Sequence, residues 1–190
     1  MDKNNLIERA ESQIIHKGEY INLRKDILKK DGEVIAERDV VEHVGSIVAV
    51  PYEIINNNIF FYLVKQWRNP IEKWILEFPA GTLNEKENHE IAVVRELQEE
   101  IGMKPKNINY WSHFYVAPGW CTEKIHCYFA GDLEKSELKG DIDEQIEVIK
   151  LSYDELKSKI QNAQILDLKT ITAFNIFDNY FKNDLPEFNK

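Results

Sequence analysis

Residues 80–103 read AGTLNEKENHEIAVVRELQEEIGM, and this stretch carries the strongest structural signal in the chain. Asn88 can cap a helix that runs to about Ile101, because its side-chain oxygen accepts a hydrogen bond from an early backbone N–H. Gly102 follows, and glycine readily adopts the left-handed conformation that ends many helices. The stretch therefore predicts a loop, a helix and a second loop.

The predicted helix has an acidic face beside an apolar one. At about 100° per residue, Glu96 and Glu100 lie one turn apart, with Glu99 beside them. Like charges at this spacing, near a helix C-terminus, destabilise the helix unless something compensates them. A hard divalent cation compensates them well, since it prefers carboxylate and carbonyl oxygens. From the spacing alone, a solvated acidic face with Arg95 as its intrahelical partner is the favoured interpretation.

The spacing of the whole stretch matches every fixed position of the Nudix box. These positions are Gly81, Glu87, Arg95-Glu96, Leu97, Glu99-Glu100, Gly102 and Met103. The chain therefore resembles the Nudix hydrolases, which cleave a nucleoside diphosphate linked to another moiety with a divalent metal held on a loop-helix-loop. The resemblance implies a Nudix-type α/β/α sandwich, Mg²⁺ or alternatively Mn²⁺ as cofactor, and an enzyme rather than a binding module.

The resemblance also assigns roles to individual residues of the box. It implies that Glu96, Glu99, Glu100 and the backbone carbonyl of Ala80 bind the metal. It places Arg95 and Glu99 among the catalytic residues as well. Arg95 and Glu87 are expected to hold the loop and the helix in shape through charge-assisted hydrogen bonds.

Sequence outside the box is similar to the ADP-ribose pyrophosphatase and nucleoside diphosphate sugar pyrophosphatase branch. The strings that carry this similarity are Asp31-Gly32-Glu33-Val34, Gln66-Trp67-Arg68, the run from Leu76 to Gly81, and Ala117-Pro118-Gly119 followed by Thr122-Glu123. The similarity implies hydrolysis of ADP-ribose or a related nucleoside diphosphate sugar to a nucleoside monophosphate and a sugar phosphate. GDP-mannose is the alternative substrate, because residues 30–35 and 140–148 resemble that subgroup too.

The general base and the substrate contacts are expected outside the helix. In this branch the base often comes from a loop before a late strand, which makes Glu144 the first choice, Glu147 the second and Asp143 the third. Arg68 follows an apolar strand and is predicted to bind a substrate phosphate or the terminal sugar, since a guanidinium offers paired donors. Glu123 is predicted to orient substrate groups or to assist the metal.

A second class of function is a Nudix module that senses a nucleotide without cutting it. That interpretation predicts a damaged box or an attached DNA-binding domain. All of the box acids are present, and the residues after Phe181 are too few for a helix-turn-helix, so the catalytic interpretation is favoured.

Composition excludes several other classes of protein. The 190 residues carry a formal net charge of −9, which argues against a surface built for nucleic acid or an anionic membrane. No stretch approaches the roughly 18 apolar residues of a membrane span, and the amino terminus has no hydrophobic signal region. The expected location is the cytoplasm, where Cys121 and Cys127 are expected to remain reduced packing residues.

Apolar patterning predicts an α/β (α+β) fold built around a mixed sheet. Residues 1–43 are expected to form an antiparallel β subdomain with a tight turn at Asp31-Gly32, and residues 44–190 the Nudix domain. In this branch such a subdomain forms intertwined homodimers, so a homodimer is expected. The strands predicted for the larger domain are 45–52, 59–66, 74–78, 110–116, 124–130 and 146–151, and helices are predicted at about 88–101, 153–162 and 168–181.

Overall fold

The structure is a computed structural model that describes residues 6–140 and 145–185. The chain folds into two compact units. The first unit comprises the described part of Met1–Gly45 together with Tyr115–Lys124, and the second comprises Ser46–Phe114 and the described part of Ile125–Lys190. The division of the chain into domains at residues 43 and 44 stays a prediction.

The first unit contains a three-stranded antiparallel sheet in the order β1-β2-β3. Its strands are β1 (Glu8–Lys17), β2 (Ile21–Lys30) and β3 (Glu33–His43). Asp31 and Gly32 join β2 to β3 with φ angles of 53° and 85°. These positive angles belong to the tight hairpin turn that the dipeptide predicts.

The second unit contains a seven-stranded mixed sheet. Five strands follow the order β10-β5-β4-β9-β8, while β6 pairs with β5 and β7 with β4. The β4–β9 pair is parallel, and the β4–β5 pair is antiparallel. The strands are β4 (Ser46–Ile55), β5 (Asn58–Arg68), β6 (Lys73–Glu77), β7 (Ala80–Thr82), β8 (Met103–Tyr115), β9 (Lys124–Lys135) and β10 (Ile146–Ser152).

Three helices accompany this sheet, namely α1 (His89–Glu100), α2 (Tyr153–Gln161) and α3 (Leu168–Ile176). Phe61 of β5 contacts Phe174 of α3, whereas its neighbour Tyr62 belongs to the apolar cluster that includes α1. Successive side chains of a strand point to opposite faces, so α1 and α3 cover opposite faces of the sheet. The predicted α/β architecture with a mixed sheet and an N-terminal antiparallel sheet is confirmed.

The helix boundaries agree with the capping signals in the sequence. The Asn88 side chain accepts a hydrogen bond from the Glu90 N–H at 2.7 Å, and Asp167 caps α3 in the same way through the Thr170 N–H. Leu97 and Val93 of α1 are fully buried, so the apolar stripe of that helix packs on the sheet as predicted. This packing directs the adjoining acidic face towards β7.

Three predicted boundaries are wrong by five residues or more. The strand predicted over 124–130 extends to Lys135. The strand predicted to start at Tyr110 begins at Met103, because β8 is a terminal strand of the sheet and such a strand tolerates the prolines and lysines that elsewhere indicate a loop. The helix predicted over 168–181 ends at Ile176 and continues as a π-helical segment, Phe177–Phe181. Both terminal phenylalanines of that segment pack against Tyr52.

Both cysteines are free, as the sequence predicts. Cys127 is buried in β9, where burial raises the pKa of its thiol to about 12. Within residues 6–140 and 145–185, no helix is long and apolar enough to cross a membrane.

Candidate metal and catalytic site

The loop before α1 is closed by its own polar groups. The Asn84 N–H donates to Glu87 Oε2 at 2.9 Å, and the Glu87 N–H donates to the Asn84 carbonyl at 3.0 Å. Between these two residues Lys86 turns the backbone with a φ of 63°. The Glu87 carboxylate is thereby fixed in front of the helix.

Arg95 joins this loop to the acidic face of α1. Its Nε and Nη2 donate to the two carboxylate oxygens of Glu87, each at 3.0 Å. Its Nη1 donates to Glu96 Oε1 at 2.8 Å and to Glu99 Oε2 at 2.9 Å. These hydrogen bonds hold the pKa of Arg95 above its usual value, and that of Glu87 below it. One guanidinium therefore donates hydrogen bonds to three carboxylates.

Two further contacts join the acidic face to β7. The Ala80 N–H donates to Glu100 Oε2 at 3.2 Å. A Cβ placed on Gly81 would lie only 1.8 Å from Glu96 Oε1, so the Glu96 carboxylate occupies space that glycine alone leaves open. Glu96 and Glu100 are 8 % and 5 % exposed. The structure thus brings Ala80, Gly81, Glu96 and Glu100 together.

The donor atoms at this point fit a hard divalent cation. Carboxylate oxygens are ligands that such an ion prefers, and carboxylates out of water need a compensating charge. In the part of the chain that the structure describes, no three His, Cys, Asp or Glu side chains are arranged as ligands of one ion. Arg95 instead neutralises Glu96 and Glu99, so ion binding requires these two side chains to reorient.

Arg68 lies at the end of β5 and forms an ion pair with a buried glutamate. Its Nε and Nη2 donate to Glu77 Oε1 and Oε2 at 2.7 and 2.9 Å. Burial of the guanidinium opposes its charge, but the hydrogen bonds to Glu77 hold the pKa of Arg68 above its usual value, with a smaller contribution from Glu100. One edge of the guanidinium is therefore occupied by protein, and the predicted substrate contact of Arg68 stays a prediction.

Glu77 and its second partner, Lys169, were not predicted from the sequence. Glu77 is 1 % exposed and accepts hydrogen bonds from both Arg68 and Lys169. The available signal was a single acid inside the apolar strand WILEF, residues 74–78, because a buried carboxylate requires a cationic partner.

The structure describes only one of the three candidates for the general base. Glu144 and Asp143 lie outside the described residues. Glu147 lies in β10 and forms an exposed ion pair with Lys65, with its Oε2 2.9 Å from Lys65 Nζ. The assignment of the base to Glu144 accordingly stays a prediction.

Glu123 belongs to the first unit. Its Oε1 lies 3.9 Å from His43 Nδ1, and the neighbouring Thr122 hydroxyl accepts a hydrogen bond from the His43 N–H at 3.0 Å. These contacts join residues 115–124 to the end of β3. The substrate-binding role of Glu123 stays a prediction.

Comparison with known proteins identifies the family. A profile described as the NUDIX domain matches residues 46–173, which is more than half of the chain. The chain belongs to the Nudix family. The matched region contains Ala80, Gly81 and all the acids of α1, so the family assignment and the geometry concern the same residues.

Three curated relatives extend the Nudix match into the N-terminal region. A methanol dehydrogenase activator of Bacillus methanolicus is 32 % identical over 84 % of this chain and 85 % of the relative. An ADP-ribose pyrophosphatase of Bacillus subtilis is 29 % identical over the same shares of the two chains. A GDP-mannose pyrophosphatase of Escherichia coli O1:K1 is 29 % identical over 81 % of this chain and 84 % of the relative.

The solved structures agree with the fold. One described as an ADP compounds hydrolase has a TM-score of 0.78 and 16 % identity, and covers 97 % of this chain and 98 % of the other. The predicted Nudix-type fold is confirmed. Together with the family match, these relatives identify the protein as a Nudix pyrophosphohydrolase, in a family that generally needs divalent metal ions.

The Glu87–Arg95 pair is expected to make folding stability depend on pH. The pKa of Glu87 is lowered by Arg95, so its stabilisation is complete above the pKa of the unfolded chain and is lost as pH falls through the folded value. Glu87→Gln should reduce the free energy of unfolding by about 2 kcal/mol near neutral pH, and by progressively less as the pH falls through the folded pKa of Glu87. Urea denaturation at several pH values measures the difference.

The matched control for this prediction is Glu85→Gln. The Glu85 side chain is 89 % exposed in the same loop, and its substitution should change the free energy of unfolding by less than about 0.5 kcal/mol at any pH. A difference between wild type and Glu87→Gln that stays constant with pH would contradict the prediction.

Proposed function

We propose that this Nudix enzyme hydrolyses the pyrophosphate linkage of ADP-ribose or a related nucleoside diphosphate sugar, with Mg²⁺ as its metal. The observation that supports the proposal most strongly is the pair of buried carboxylates, Glu96 and Glu100, held against Ala80 and Gly81. The similarity to ADP-ribose and GDP-mannose pyrophosphatases supports the substrate class.

Glu96, Glu100 and the Ala80 carbonyl are proposed to hold the metal, with Glu99 assisting. Mn²⁺ is the alternative ion, because it prefers the same oxygen ligands. When bound, such an ion neutralises phosphate charge and lowers the pKa of a coordinated water. Arg95 restrains Glu96 and Glu99 through its hydrogen bonds, so it positions these carboxylates before an ion binds.

Residues other than the metal ligands are proposed to bind the substrate and to accept the proton of the attacking water. Water attacks one phosphorus, the bridging P–O bond breaks, and the products are a nucleoside monophosphate and a sugar phosphate. Glu144 is proposed to take the proton of the attacking water. Arg68 is proposed to bind a phosphate through the edge of its guanidinium that Glu77 leaves available. Glu123 is proposed to orient substrate groups or to assist the metal.

Substrate choice is tested with a panel of nucleotides. We expect pure protein with Mg²⁺ to convert ADP-ribose to AMP and ribose 5-phosphate faster than it converts GDP-mannose, ADP-glucose or dinucleotides. Chromatographic analysis of the products measures each rate, and a matched incubation with EDTA should abolish them. Preference for GDP-mannose would select the alternative substrate, and no turnover of any compound would contradict the proposed function.

A homodimer is proposed on the basis of the first unit. Its sheet exposes large apolar side chains on all three strands, including Ile14, Ile21 and Ile35. Exposed apolar side chains on a sheet offer surface that association can bury. Sedimentation equilibrium should give a dimer for wild type and a monomer for Ile35→Glu, and a monomeric wild type would contradict the proposal. The cytoplasmic location and the absence of nucleic-acid partners stay predictions from the sequence.

A further inference from the structure

The first turn of α3 contacts the segment that leads into the metal loop. Thr170 is fully buried, and its hydroxyl donates to Asp167 Oδ2 at 2.6 Å. The hydroxyl oxygen of Thr170 also accepts the Phe78 N–H at 2.8 Å. Since this hydroxyl both donates and accepts, the α3 N-terminus has one defined position beside residues 77–78.

Lys169 extends from that turn to the buried carboxylate of Glu77. Its Nζ donates to Glu77 Oε2, and also to Asp167 Oδ1 at 3.0 Å. Only 14 % of the Lys169 side chain is exposed, so this cation is committed to protein partners. Glu77 therefore connects Lys169 on one side with Arg68 on the other.

The geometry of Arg68 depends on that carboxylate. A guanidinium has five N–H groups, and the contacts with Glu77 use one from Nε and one from Nη2. The other Nη2 hydrogen and one Nη1 hydrogen form a second two-donor edge, which suits two phosphate oxygens. Rotation of the Glu77 carboxylate would turn this edge, and the bond from Lys169 opposes that rotation.

We propose that Lys169 is a positioning residue, which acts through Glu77 to aim the guanidinium of Arg68 at the diphosphate of the substrate. The inference rests on the proposed function and adds a residue that lies outside the metal-binding stretch, on a different helix. Lys169 touches no reacting atom in this arrangement, so its effect belongs to substrate binding rather than to bond cleavage.

Steady-state kinetics with ADP-ribose test this role. Lys169→Met should raise KM about tenfold and change kcat by less than about twofold, since a hydrogen bond to a charged group is lost on the binding side only. Lys169→Arg, which can still donate to Glu77, should recover most of the affinity. Unchanged KM in Lys169→Met, or a loss confined to kcat, would overturn the proposal.

Lys182→Met is the matched control. Lys182 is likewise a partly buried lysine, with Nζ 2.6 Å from Asp178 Oδ1, but its partners are Asp178 and Tyr153. Both methionine variants should lower Tm, because each removes a partly buried ion pair. Only the variant at Lys169 should raise KM, and an equal rise in both would indicate a purely structural role.

Coupling through Glu77 is tested with a double-mutant cycle. In the Glu77→Gln background the additional effect of Lys169→Met on KM should fall below about twofold, because the intermediary charge is gone. Fully additive effects would mean that Lys169 acts by another route.

A readout without substrate separates this inference from the proposed function. The Arg68 Nε–H resonance in ¹⁵N NMR, assigned by its loss in Arg68→Lys, should be protected from solvent exchange in wild type. Lys169→Met should accelerate that exchange about tenfold, as the Glu77 carboxylate gains freedom. If wild type hydrolyses no nucleoside diphosphate sugar, the proposed function fails, whereas an unchanged Arg68 resonance in Lys169→Met rejects the role of Lys169.

Discussion

Glu100→Gln is expected to lower kcat about 10³-fold and to leave the protein folded. The substitution removes a negative charge from the proposed metal site, and an ion at such a site supplies several kcal/mol of transition-state stabilisation. Glutamine keeps a side-chain oxygen that can accept the Ala80 N–H, so the contact between α1 and β7 is retained. Product formation from ADP-ribose measures the rate, and circular dichroism with thermal melting measures the fold.

The control for this experiment is Glu90→Gln. Glu90 is exposed at the other end of the same helix, so the change in charge is equal but remote from Ala80 and Gly81. We expect wild-type turnover from this variant. A folded Glu100→Gln enzyme that retains most of its activity would contradict the metal-site assignment, and one that loses only metal-linked affinity would favour a nucleotide sensor.

Gly81→Ala is expected to lower kcat/KM by at least about 100-fold with little loss of stability. The added Cβ would lie 1.8 Å from Glu96 Oε1 and 2.0 Å from Glu96 Cδ. The obstructed atoms form the end of a flexible side chain, so the Glu96 carboxylate can move away at small energetic cost to the fold. The added methyl group then keeps the carboxylate away from the backbone of Ala80 and Gly81, where metal binding is proposed, which raises the activation barrier. Titration with Mn²⁺, followed by electron paramagnetic resonance, should show weaker ion binding.

Shortening the obstructed side chain provides a second-site test. In the Gly81→Ala background, Glu96→Asp withdraws the carboxylate by one methylene from the new methyl group. We expect the double variant to be more active than Gly81→Ala, whereas Glu96→Asp alone should be less active than wild type. If the double variant loses the sum of what the two single variants lose, the collision with Glu96 is not the cause of the low activity of Gly81→Ala.

Local chemistry explains why α1 was predictable. The Asn88 cap and the apolar stripe with Leu97 act over one to two helical turns, and the structure has both. The first residues of β8 were not predictable in this way. Lys104 and Pro105 indicate a loop in isolation, and only their place on a terminal strand makes an extended backbone acceptable.

The same distinction between local and tertiary effects applies to the candidate site. Glu96, Glu99 and Glu100 share a helix face because of helical periodicity, so the sequence determined their grouping without any knowledge of the fold. The contact of Glu96 with Gly81 required β7 to pack beside α1.

The sequence by itself determined the family, the loop-helix-loop and the acidic face of α1, because these depend on residues close together along the chain. Tertiary structure alone decided that Glu77 is shared by Arg68 and Lys169, which are about 100 residues apart in sequence. A buried carboxylate requires cationic partners. Folding brings these partners together from distant parts of the chain, so the spacing of residues in the sequence does not reveal them.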